Sequence, residues 1–415
     1  MFTVRRAGRA ADSRDGAAFV AMPVSPSRRV AFDVLRQVAR GGHASDLLRA
    51  QSESLSSRDA GLAETLTLGV LRFQGQLDYL LEHFWGHDPE KLDLEVRLAF
   101  RLGIYQLRYL DRVPRHAAVD ECVSLVKRAR KRSAAGLVNA VLRKVDRRPV
   151  RWPEPSIELS LPGWLFEGWT RMFGEEVARR IGCEFLKPPV TYVRVPAERI
   201  EEAAGLPLEP TSVAGCYRLR GGSCPPGFRR QDISSQAIVP LLEIERGQRF
   251  LDVCAAPGNK TAQAIESSIR AVAVDASRSR LEELAGLQAH LVAADARSAL
   301  PFRCLFDRIL VDAPCSGTGT LGRNPEIKWR LRAEELERHH SRQVRLLQNA
   351  LKVLAPGGRL VYSTCSLEVE ENERVVEVVR SDPPVPIELE GQIRRIPGRD
   401  PGDGFYAAVL VRPSG

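Results

Sequence analysis

The chain of 415 residues is too long for one ordinary domain and suits two or three. With 44% hydrophobic and 27% charged residues it has the composition of a globular protein, which excludes a wholly disordered chain, a collagen and a coiled coil. The formal charge of +9 arises within residues 1–150, where 26 lysines and arginines outnumber 17 acidic residues, while the remainder of the chain is neutral.

Membrane, secretion and metal motifs are missing from the sequence. No run approaches the roughly 18 apolar residues that cross a bilayer, and the first 21 residues hold no apolar core of roughly 7–15 residues like that of a secretory signal. Eight cysteines without a Cys-x-x-Cys pair are too sparse for a disulfide scaffold or a zinc ribbon. We therefore expect a cytoplasmic protein with reduced thiols, no membrane partner and no metal site.

The first 148 residues predict a tail followed by an all-helical domain. Residues 1–25 are rich in Arg, Ala, Gly and Pro and predict a flexible tail, with Met22 as an alternative start of the chain. From 26 to 148, apolar residues recur at spacings of three and four, which is the period of an amphipathic helix. Such runs include Leu62, Leu66, Gly69, Val70 and Phe73, then Val96, Phe100, Ile104 and Leu107, then Val119, Val123 and Val126, and finally Val138, Val141, Leu142 and Val145.

The basic surplus of this domain is concentrated near its end. A polyanion partner is favoured there, because each phosphate that a cation neutralises releases condensed counterions. The alternative is an Arg-rich solvated surface from a compositionally biased genome. The candidate residues for contact with such a polyanion are Lys127, Arg128, Arg130, Lys131, Arg132, Arg143 and Lys144.

Residues 149–235 predict a Pro-rich joint and a small α+β subdomain. A helix is expected over about 164–185, and short extended runs over Thr191–Val195 and Cys216–Leu219.

After residue 236, short β-rich runs alternate with helical segments, which is typical of a doubly wound parallel sheet. A last strand over Phe405–Val411 is expected to be antiparallel and to lie at one end of the sheet. The predicted parallel strands are Arg249–Cys254, Arg270–Asp275, His290–Ala293, Arg308–Asp312 and Arg359–Ser363.

A loop of small residues follows the first of these strands and indicates a nucleoside cofactor. It is neither GxGxxG nor GxxxxGK[ST], so nicotinamide and P-loop phosphate binding are disfavoured. Asp275, Asp295 and Asp312 are expected to end the next three strands, where an acid can meet ribose hydroxyls or an adenine amino group. Each acid alone could be a helix N-cap, but three acids beside a small-residue loop favour a binding site.

Two cysteines are expected at the same edge of the sheet. Cys315 follows the fourth strand and Cys365 the fifth, where Glu370, Glu371, Asn372 and Glu373 open the next helix. A thiolate suits nucleophilic addition to a carbon such as C6 of a pyrimidine, after which C5 can take a methyl group. Asp312 would hold the base at N3 and the exocyclic amine. This chemistry does not distinguish the two thiols. The other cysteines predicted as small buried side chains are Cys122, Cys183, Cys216, Cys224 and Cys304.

These motifs resemble the Sun (RsmB) class of 16S rRNA cytosine-C5 methyltransferases. The resemblance rests on CAAPGNKT (254–261), DAPCSGTGTLGRNPEIKW (312–329) and YSTCSLEVEEN (362–372), with FRRQDISSQ (228–236) upstream. Residues 98–107, HAAVDECV (116–123) and LVNAVLRK (137–144) are similar to a NusB-like RNA-binding domain. The resemblance implies a multidomain protein with an all-α NusB-like domain (26–148), a small α+β linker subdomain (149–235) and an α/β Rossmann-like class I methyltransferase domain (236–415).

The resemblance also implies roles for individual residues. Cys365 would be the nucleophile and Cys315 would assist product release, with Asp312 as the third catalytic residue. Lys260 could also contact the target base. Asn259, where the family usually has Gly, requires a loop that tolerates a side chain, and Pro196, where Asn is common, removes any contact of that amide. The residues that would bind S-adenosylmethionine are Cys254, Ala255, Ala256, Pro257, Gly258, Asn259, Lys260, Asp275, Asp295 and Asp312.

The expected partner is 16S ribosomal RNA or a small-subunit assembly intermediate, and a monomer is expected. Two other functions stay open. One is the same chemistry on transfer RNA or another ribosomal site, and the other is a non-catalytic RNA-binding assembly factor. The catalytic motifs argue against the assembly factor, because a scaffold needs neither cysteine.

Overall fold

A computed structural model describes residues 24–267 and 269–414. Most of the predicted tail and the alternative start at Met22 lie outside these residues. No helix in the described ranges is both long and apolar enough to cross a membrane.

The N-terminal part of the chain is helical, as predicted. Its buried faces form one hydrophobic cluster that extends from Val30 to Val145. At Gly69 the neighbouring Tyr105 ring occupies the space of any Cβ, so glycine permits the close approach of two helices there. The helices are α1 (Pro26–Val38), α2 (Ala44–Ser52), α3 (Ser57–Arg72), α4 (Gln74–Trp85), α5 (Leu94–Tyr109), α6 (Arg115–Arg128) and α7 (Ala135–Lys144).

The middle of the chain carries a small antiparallel sheet of strand order β2-β3-β1-β4. Its elements are α8 (Pro155–Glu158), α9 (Gly163–Phe173), α10 (Glu175–Leu186), β1 (Tyr192–Arg194), α11 (Ile200–Ala203), β2 (Leu208–Pro210), β3 (Cys216–Leu219) and β4 (Arg229–Arg230). The prediction of one helix over 164–185 was wrong, because Gly174 adopts φ of 84° and separates α9 from α10.

The predicted burial of every lone cysteine was also partly wrong. Cys122 and Cys216 are buried and Cys224 is half-buried, but Cys183 and Cys304 are exposed. Cys183 lies on the outer face of α10, and Cys304 lies in the loop that precedes a strand of the large sheet.

The C-terminal part is a mixed sheet that, in the described residues, has seven strands in the order β10-β11-β9-β8-β5-β6-β7. Strands β5 to β9 pair in parallel, as predicted. The strands are β5 (Arg249–Asp252), β6 (Arg270–Asp275), β7 (Ala289–Ala293), β8 (Phe306–Asp312), β9 (Leu354–Thr364), β10 (Glu388–Arg395) and β11 (Phe405–Val411). The helices are α12 (Ile233–Gln236), α13 (Asn259–Ile265), α14 (Arg278–Leu281), α15 (Ile327–Arg330), α16 (Ala333–Lys352) and α17 (Glu373–Ser381).

Strand β11 is antiparallel, as expected, but its predicted place at the end of the sheet was wrong. It lies between β9 and β10, and β10 forms the edge. Strand β10 was not predicted, because its sequence, ELEGQIRR, has few apolar or β-branched residues. Such a polar sequence fits an edge strand most of whose side chains are in contact with solvent.

A segment that follows Cys315 joins the helical domain to the large sheet. Lys328 is 1% exposed and its Nζ donates to the carbonyls of Arg72 at 2.8 Å and Ser160 at 2.9 Å. Trp329 Nε1 donates to the carbonyl of Leu71 at 2.8 Å. Burial lowers the pKa of Lys328 to about 7, so the contact does not require a charged ammonium. The helical domain is thus held directly against the loop that carries Cys315.

Candidate active site

Two cavities open at the carboxyl edge of the large sheet, and the loop after β5 contributes to both. The larger is a cleft of about 750 Å³ between the helical domain, the small sheet and the large sheet. Its lining includes Ser45, Thr65, Arg72, Tyr105, Tyr192, Arg230, Asp232, Pro257, Asn259, Lys260, Asp312, Arg323, Cys365, Asp403 and Phe405. The smaller has about 450 Å³ and is lined by Val253, Cys254, Asp275, Ala276, Ser277, Arg280, Ala294, Asp295, Ala296, Arg297, Pro314, Arg342 and Leu346.

The two predicted cysteines meet at the wall of the larger cleft. Strands β8 and β9 are adjacent and parallel, so the loops after Asp312 and Thr364 leave the sheet side by side. This places Cys315 Sγ 3.3 Å from Cys365 Sγ. Both side chains are half-buried, but of the two only Cys365 lines the cleft.

The two thiols differ in their electrostatic surroundings. The pKa of Cys315 lies well above its usual range because its thiol hydrogen bonds to Cys365 and is withdrawn from solvent. Cys315 therefore keeps its proton and can donate it in a hydrogen bond to the sulfur of Cys365.

Asp312 is held between two side chains beside this pair. Its Oδ2 accepts from Lys260 Nζ at 2.6 Å and its Oδ1 accepts from Ser363 Oγ at 2.8 Å. Lys260 is 9% exposed and also lies 5.1 Å from the centre of the Phe405 ring. Asp312 and Lys260 therefore present a carboxylate and an ammonium to the cleft within reach of one planar ligand.

The smaller cavity has the lining expected of a nucleoside site. Asp275 ends β6 and accepts from the backbone N–H groups of Ala256 at 3.2 Å and Ser277 at 2.9 Å, which leaves lone pairs for ribose hydroxyls. Asp295 lies two residues beyond β7 and stays partly open to solvent. Its pKa is lowered because Arg297 donates hydrogen bonds to both carboxylate oxygens, so an adenine amino group would share these oxygens with Arg297.

The predicted cofactor residues do not all line one cavity. Cys254, Asp275 and Asp295 line the smaller cavity, whereas Pro257, Asn259, Lys260 and Asp312 line the larger cleft. Ala255 and Ala256 are buried in an apolar cluster with Ala273 and Leu284. Gly258 carries the positive φ of 94° at the start of α13, so Asn259 is the first helical residue and needs no left-handed conformation. Its side chain is half-buried at the wall of the cleft.

Sequence reasoning missed one residue that lines the cleft, Arg72, and one buried acid next to the cofactor loop, Asp252. Asp252 ends β5, is 1% exposed, and accepts from Thr261 Oγ1 at 2.7 Å; burial raises the pKa of Asp252 to about 7. Its position at a strand end, like that of Asp275, was the available signal. Arg72 lines the cleft from the helical domain and donates to the carbonyl of Gly322 at 3.0 Å. No local pattern singled it out, because this contact joins residues 250 positions apart.

The candidate RNA-binding residues near the end of the helical domain do not line the cleft. Arg128 lies 3.8 Å from Asp33 and Lys131 2.8 Å from Asp93. Within the described residues, the side chains of Lys127, Arg130, Arg132, Arg143 and Lys144 form no salt bridge. Contact of these residues with RNA stays a prediction.

Two family profiles match the chain. The profile described as 16S rRNA methyltransferase RsmB/F matches residues 239–411, and the NusB family profile matches residues 25–147. The first covers the large sheet and both cysteine loops, and the second covers the helical domain.

Similar proteins match almost the whole chain. The ribosomal RNA small subunit methyltransferase B of Thermus thermophilus is 36% identical over 412 residues, which cover 94% of this chain and 99% of that protein. The protein of the same name from Klebsiella pneumoniae is 31% identical and covers 93% and 98%. The crystal structure of PH0851 covers 94% of this chain and 100% of that chain with a TM-score of 0.79 at 22% identity, so the fold is shared.

Proposed function

Because the chain belongs to the 16S rRNA methyltransferase RsmB/F family, whose methyl donor is S-adenosylmethionine, we propose that it methylates C5 of a cytosine through a covalent bond between Cys365 and C6. The observation that carries this proposal is the pair of thiols 3.3 Å apart, at the wall of the cleft that also holds Asp312 and Lys260. A methyltransferase that acted on an exocyclic amine or a ribose hydroxyl would need no such pair.

The smaller cavity fits the proposed cofactor. Its volume of about 450 Å³ lies within the range of roughly 300–1,000 Å³ that small-molecule sites occupy. Asp275 and Asp295 offer acceptors to ribose and adenine, and Val253, Pro314 and Leu346 offer apolar walls. S-adenosylmethionine bound there supplies the electrophilic methyl group.

Cys365 and Asp312 act in the first half of the reaction, the addition to C6 and the methylation of C5. The thiolate of Cys365 adds to C6, and the electron pair of the C5–C6 double bond becomes available at C5 for the methyl group. Asp312 accepts from the exocyclic amine and Lys260 donates to a ring acceptor, so the base is fixed while negative charge develops on the ring.

Cys315 acts in the second half of the reaction, the elimination that releases the RNA. After methyl transfer, C5 carries both a methyl group and a proton, and the C6–sulfur bond breaks only when a base removes that proton. Once Cys365 is bonded to carbon, its sulfur no longer receives the Cys315 proton or carries charge, so the largest cause of the raised pKa of Cys315 disappears. Cys315 can then lose its proton to solvent and accept the proton from C5.

The RNA must deliver an unstacked cytosine to this cleft. A base inside a helix cannot reach a nucleophile at the wall of a cavity, so a loop or a partly folded region of ribosomal RNA is the expected substrate form. The NusB-like domain forms part of the cleft through α2, α3 and α5 and would position the RNA rather than read its bases.

Bisulfite sequencing of total RNA tests the reaction and its substrate together. In cells that lack the gene, we expect one protected cytosine of small-subunit ribosomal RNA to become fully convertible, and the wild-type gene to restore its protection. The matched control is a gene that encodes Cys365→Ala, which should not restore it. Loss of protection in transfer RNA would overturn the substrate, and no change anywhere would favour an RNA-binding assembly factor.

The basic residues of the helical domain give a separate expectation. Replacing Lys127, Arg132, Arg143 and Lys144 by Glu should raise KM for RNA and flatten the salt dependence of binding, with kcat little changed. The slope should fall by up to about one unit for each phosphate that the protein no longer neutralises. The matched control is Arg380→Glu, which changes an exposed arginine of α17 by the same charge. An unaltered salt slope would show that the four residues are only a solvated surface.

A further inference from the structure

Two adjacent buried polar residues stand behind the cysteine pair without lining either cavity. Glu371 and Asn372 precede α17, and both are 0% exposed. A buried carboxylate is costly unless hydrogen bonds satisfy it, and replacement by apolar residues is often neutral or favourable for stability. Stability alone therefore does not explain why polar side chains occupy positions 371 and 372.

The carboxylate of Glu371 holds the loop of Cys315. Its Oε1 accepts from the backbone N–H of Ser316 at 2.8 Å and from Gln343 Nε2 at 3.2 Å, and its Oε2 accepts from Ser316 Oγ. Gln343 Nε2 also donates to the carbonyl of Pro314 at 3.0 Å. The residues on both sides of Cys315 are thus fixed, directly or through Gln343, by this one carboxylate.

The amide of Asn372 holds the loop of Cys365 in the same way. Its Oδ1 accepts from Thr364 Oγ1 at 2.5 Å, and its Nδ2 donates to the carbonyl of Ser366 at 3.0 Å. These are the residues immediately before and after Cys365. Neighbouring positions of one chain segment therefore each hold one of the two thiols.

We propose that Glu371 and Asn372 are positioning residues that set the separation and orientation of Cys315 and Cys365, so that Asn372 serves attack on C6 and Glu371 serves elimination. This inference rests on the covalent mechanism proposed above. Glu371 and Asn372 are neighbours in the chain, so the loops that they hold are tied to the same short segment. This shared attachment fixes the distance between the two loops. The Tyr362 hydroxyl, which donates to the carbonyl of Glu371 at 2.6 Å, anchors the pair to β9.

The two halves of the proposal predict opposite effects on the covalent intermediate. Loosening the loop of Cys315 slows release, so the enzyme–RNA adduct should accumulate while turnover falls. Loosening the loop of Cys365 slows attack, so turnover should fall without accumulation of adduct. A merely structural role would reduce both steps together.

Two small substitutions test this contrast with little change in volume. Ser316→Ala removes the hydroxyl that donates to Glu371, and Thr364→Val removes the hydroxyl that donates to Asn372. With full-length enzyme, S-adenosylmethionine and ribosomal RNA, we expect Ser316→Ala to raise the steady-state fraction of gel-stable adduct about five- to tenfold, and Thr364→Val to slow adduct formation by about the same factor.

Glu371→Ala and Glu371→Gln extend the test to the carboxylate itself. Glu371→Ala should give more adduct than Ser316→Ala, and Glu371→Gln, which keeps an acceptor for the Ser316 N–H, should restore part of the release rate. Affinity for S-adenosylmethionine should stay at the wild-type value in each variant, because Ser316, Thr364 and Glu371 do not line the smaller cavity. This affinity therefore serves as the control for correct folding.

The positioning role is overturned if Ser316→Ala and Thr364→Val lower turnover equally and change the adduct fraction alike. Cys315→Ala in the same assay separates this result from failure of the mechanism. If Cys315→Ala accumulates adduct and Ser316→Ala does not, the role of Glu371 is overturned and the covalent mechanism stands. If neither Cys315→Ala nor Cys365→Ala gives an adduct, the covalent mechanism is overturned instead.

Discussion

Cys315→Ala should leave the enzyme covalently attached to its RNA after one methyl transfer. Cys365, which faces the cleft, can still add to C6, and C5 can still be methylated, because neither step uses Cys315. The C5 proton then has no nearby sulfur base, and the C6–sulfur bond persists. We expect steady-state turnover to fall by about 10²-fold or more, the usual scale of general acid–base catalysis.

A denaturing gel with labelled RNA measures this adduct, which should migrate with the protein and disappear after nuclease treatment. Two further enzymes serve as controls. Wild type should show little adduct, and the double variant Cys315→Ala/Cys365→Ala should show none, since it lacks the attacking sulfur. An adduct formed by Cys365→Ala but absent from Cys315→Ala would reverse the two assignments.

The parallel strands of the large sheet were predictable from sequence because they are short, continuous apolar runs. Parallel strands place their carboxyl ends at one edge, so the loops that carry Cys315 and Cys365 had to be neighbours once β8 and β9 were adjacent. No local pattern in the sequence indicates that β8 and β9 are neighbours. The 3.3 Å between the sulfurs could not be predicted, because it depends on side chains that pack behind both loops.

Features that depend on contacts distant in sequence escaped prediction. Glu371 was expected only to open a helix, since a run of acidic residues gives no sign of burial. It is buried because Ser316, 55 positions earlier, supplies two donors. The sequence also did not show that the loop after β5 lines two cavities. The larger cleft is formed only where the helical domain and the small sheet lie over the edge of the large sheet, and these parts are distant in sequence.

The basic surplus illustrates a different limit. Net charge indicates a polyanionic partner, but it does not show which face of the domain carries the charge. In the structure, the predicted cations do not line the cleft, and the helical domain presents Arg72 and Tyr105 to it instead. Charge and periodicity alone therefore predicted a helical domain and favoured a polyanionic partner, but they did not indicate the residues that face the cleft.

Cys365→Ala should abolish methylation while leaving the cofactor site intact. The variant lacks the sulfur that adds to C6, and without that addition C5 of cytosine is too weak a nucleophile to take the methyl group. We expect turnover to fall on the order of 10⁴-fold or more, as when an attacking side chain is removed from other enzymes with covalent intermediates. Affinity for S-adenosylmethionine, measured by calorimetry, should stay within about twofold of wild type, because Cys365 does not line the smaller cavity.

The comparison of Cys365→Ala with Cys365→Ser sharpens this test. A serine hydroxyl is similar in size to the thiol but stays protonated at neutral pH, so it should also fail to attack, and the loss of activity would then follow the thiolate rather than the shape of the site. In Cys365→Ala, Cys315 also loses the hydrogen-bond partner that is the main cause of its raised pKa, so its thiol should react faster with an alkylating reagent as pH rises through its lowered pKa. Wild-type-like turnover in either variant would remove Cys365 as the nucleophile. Slow alkylation of Cys315 in Cys365→Ala would show that Cys365 is not what keeps Cys315 protonated.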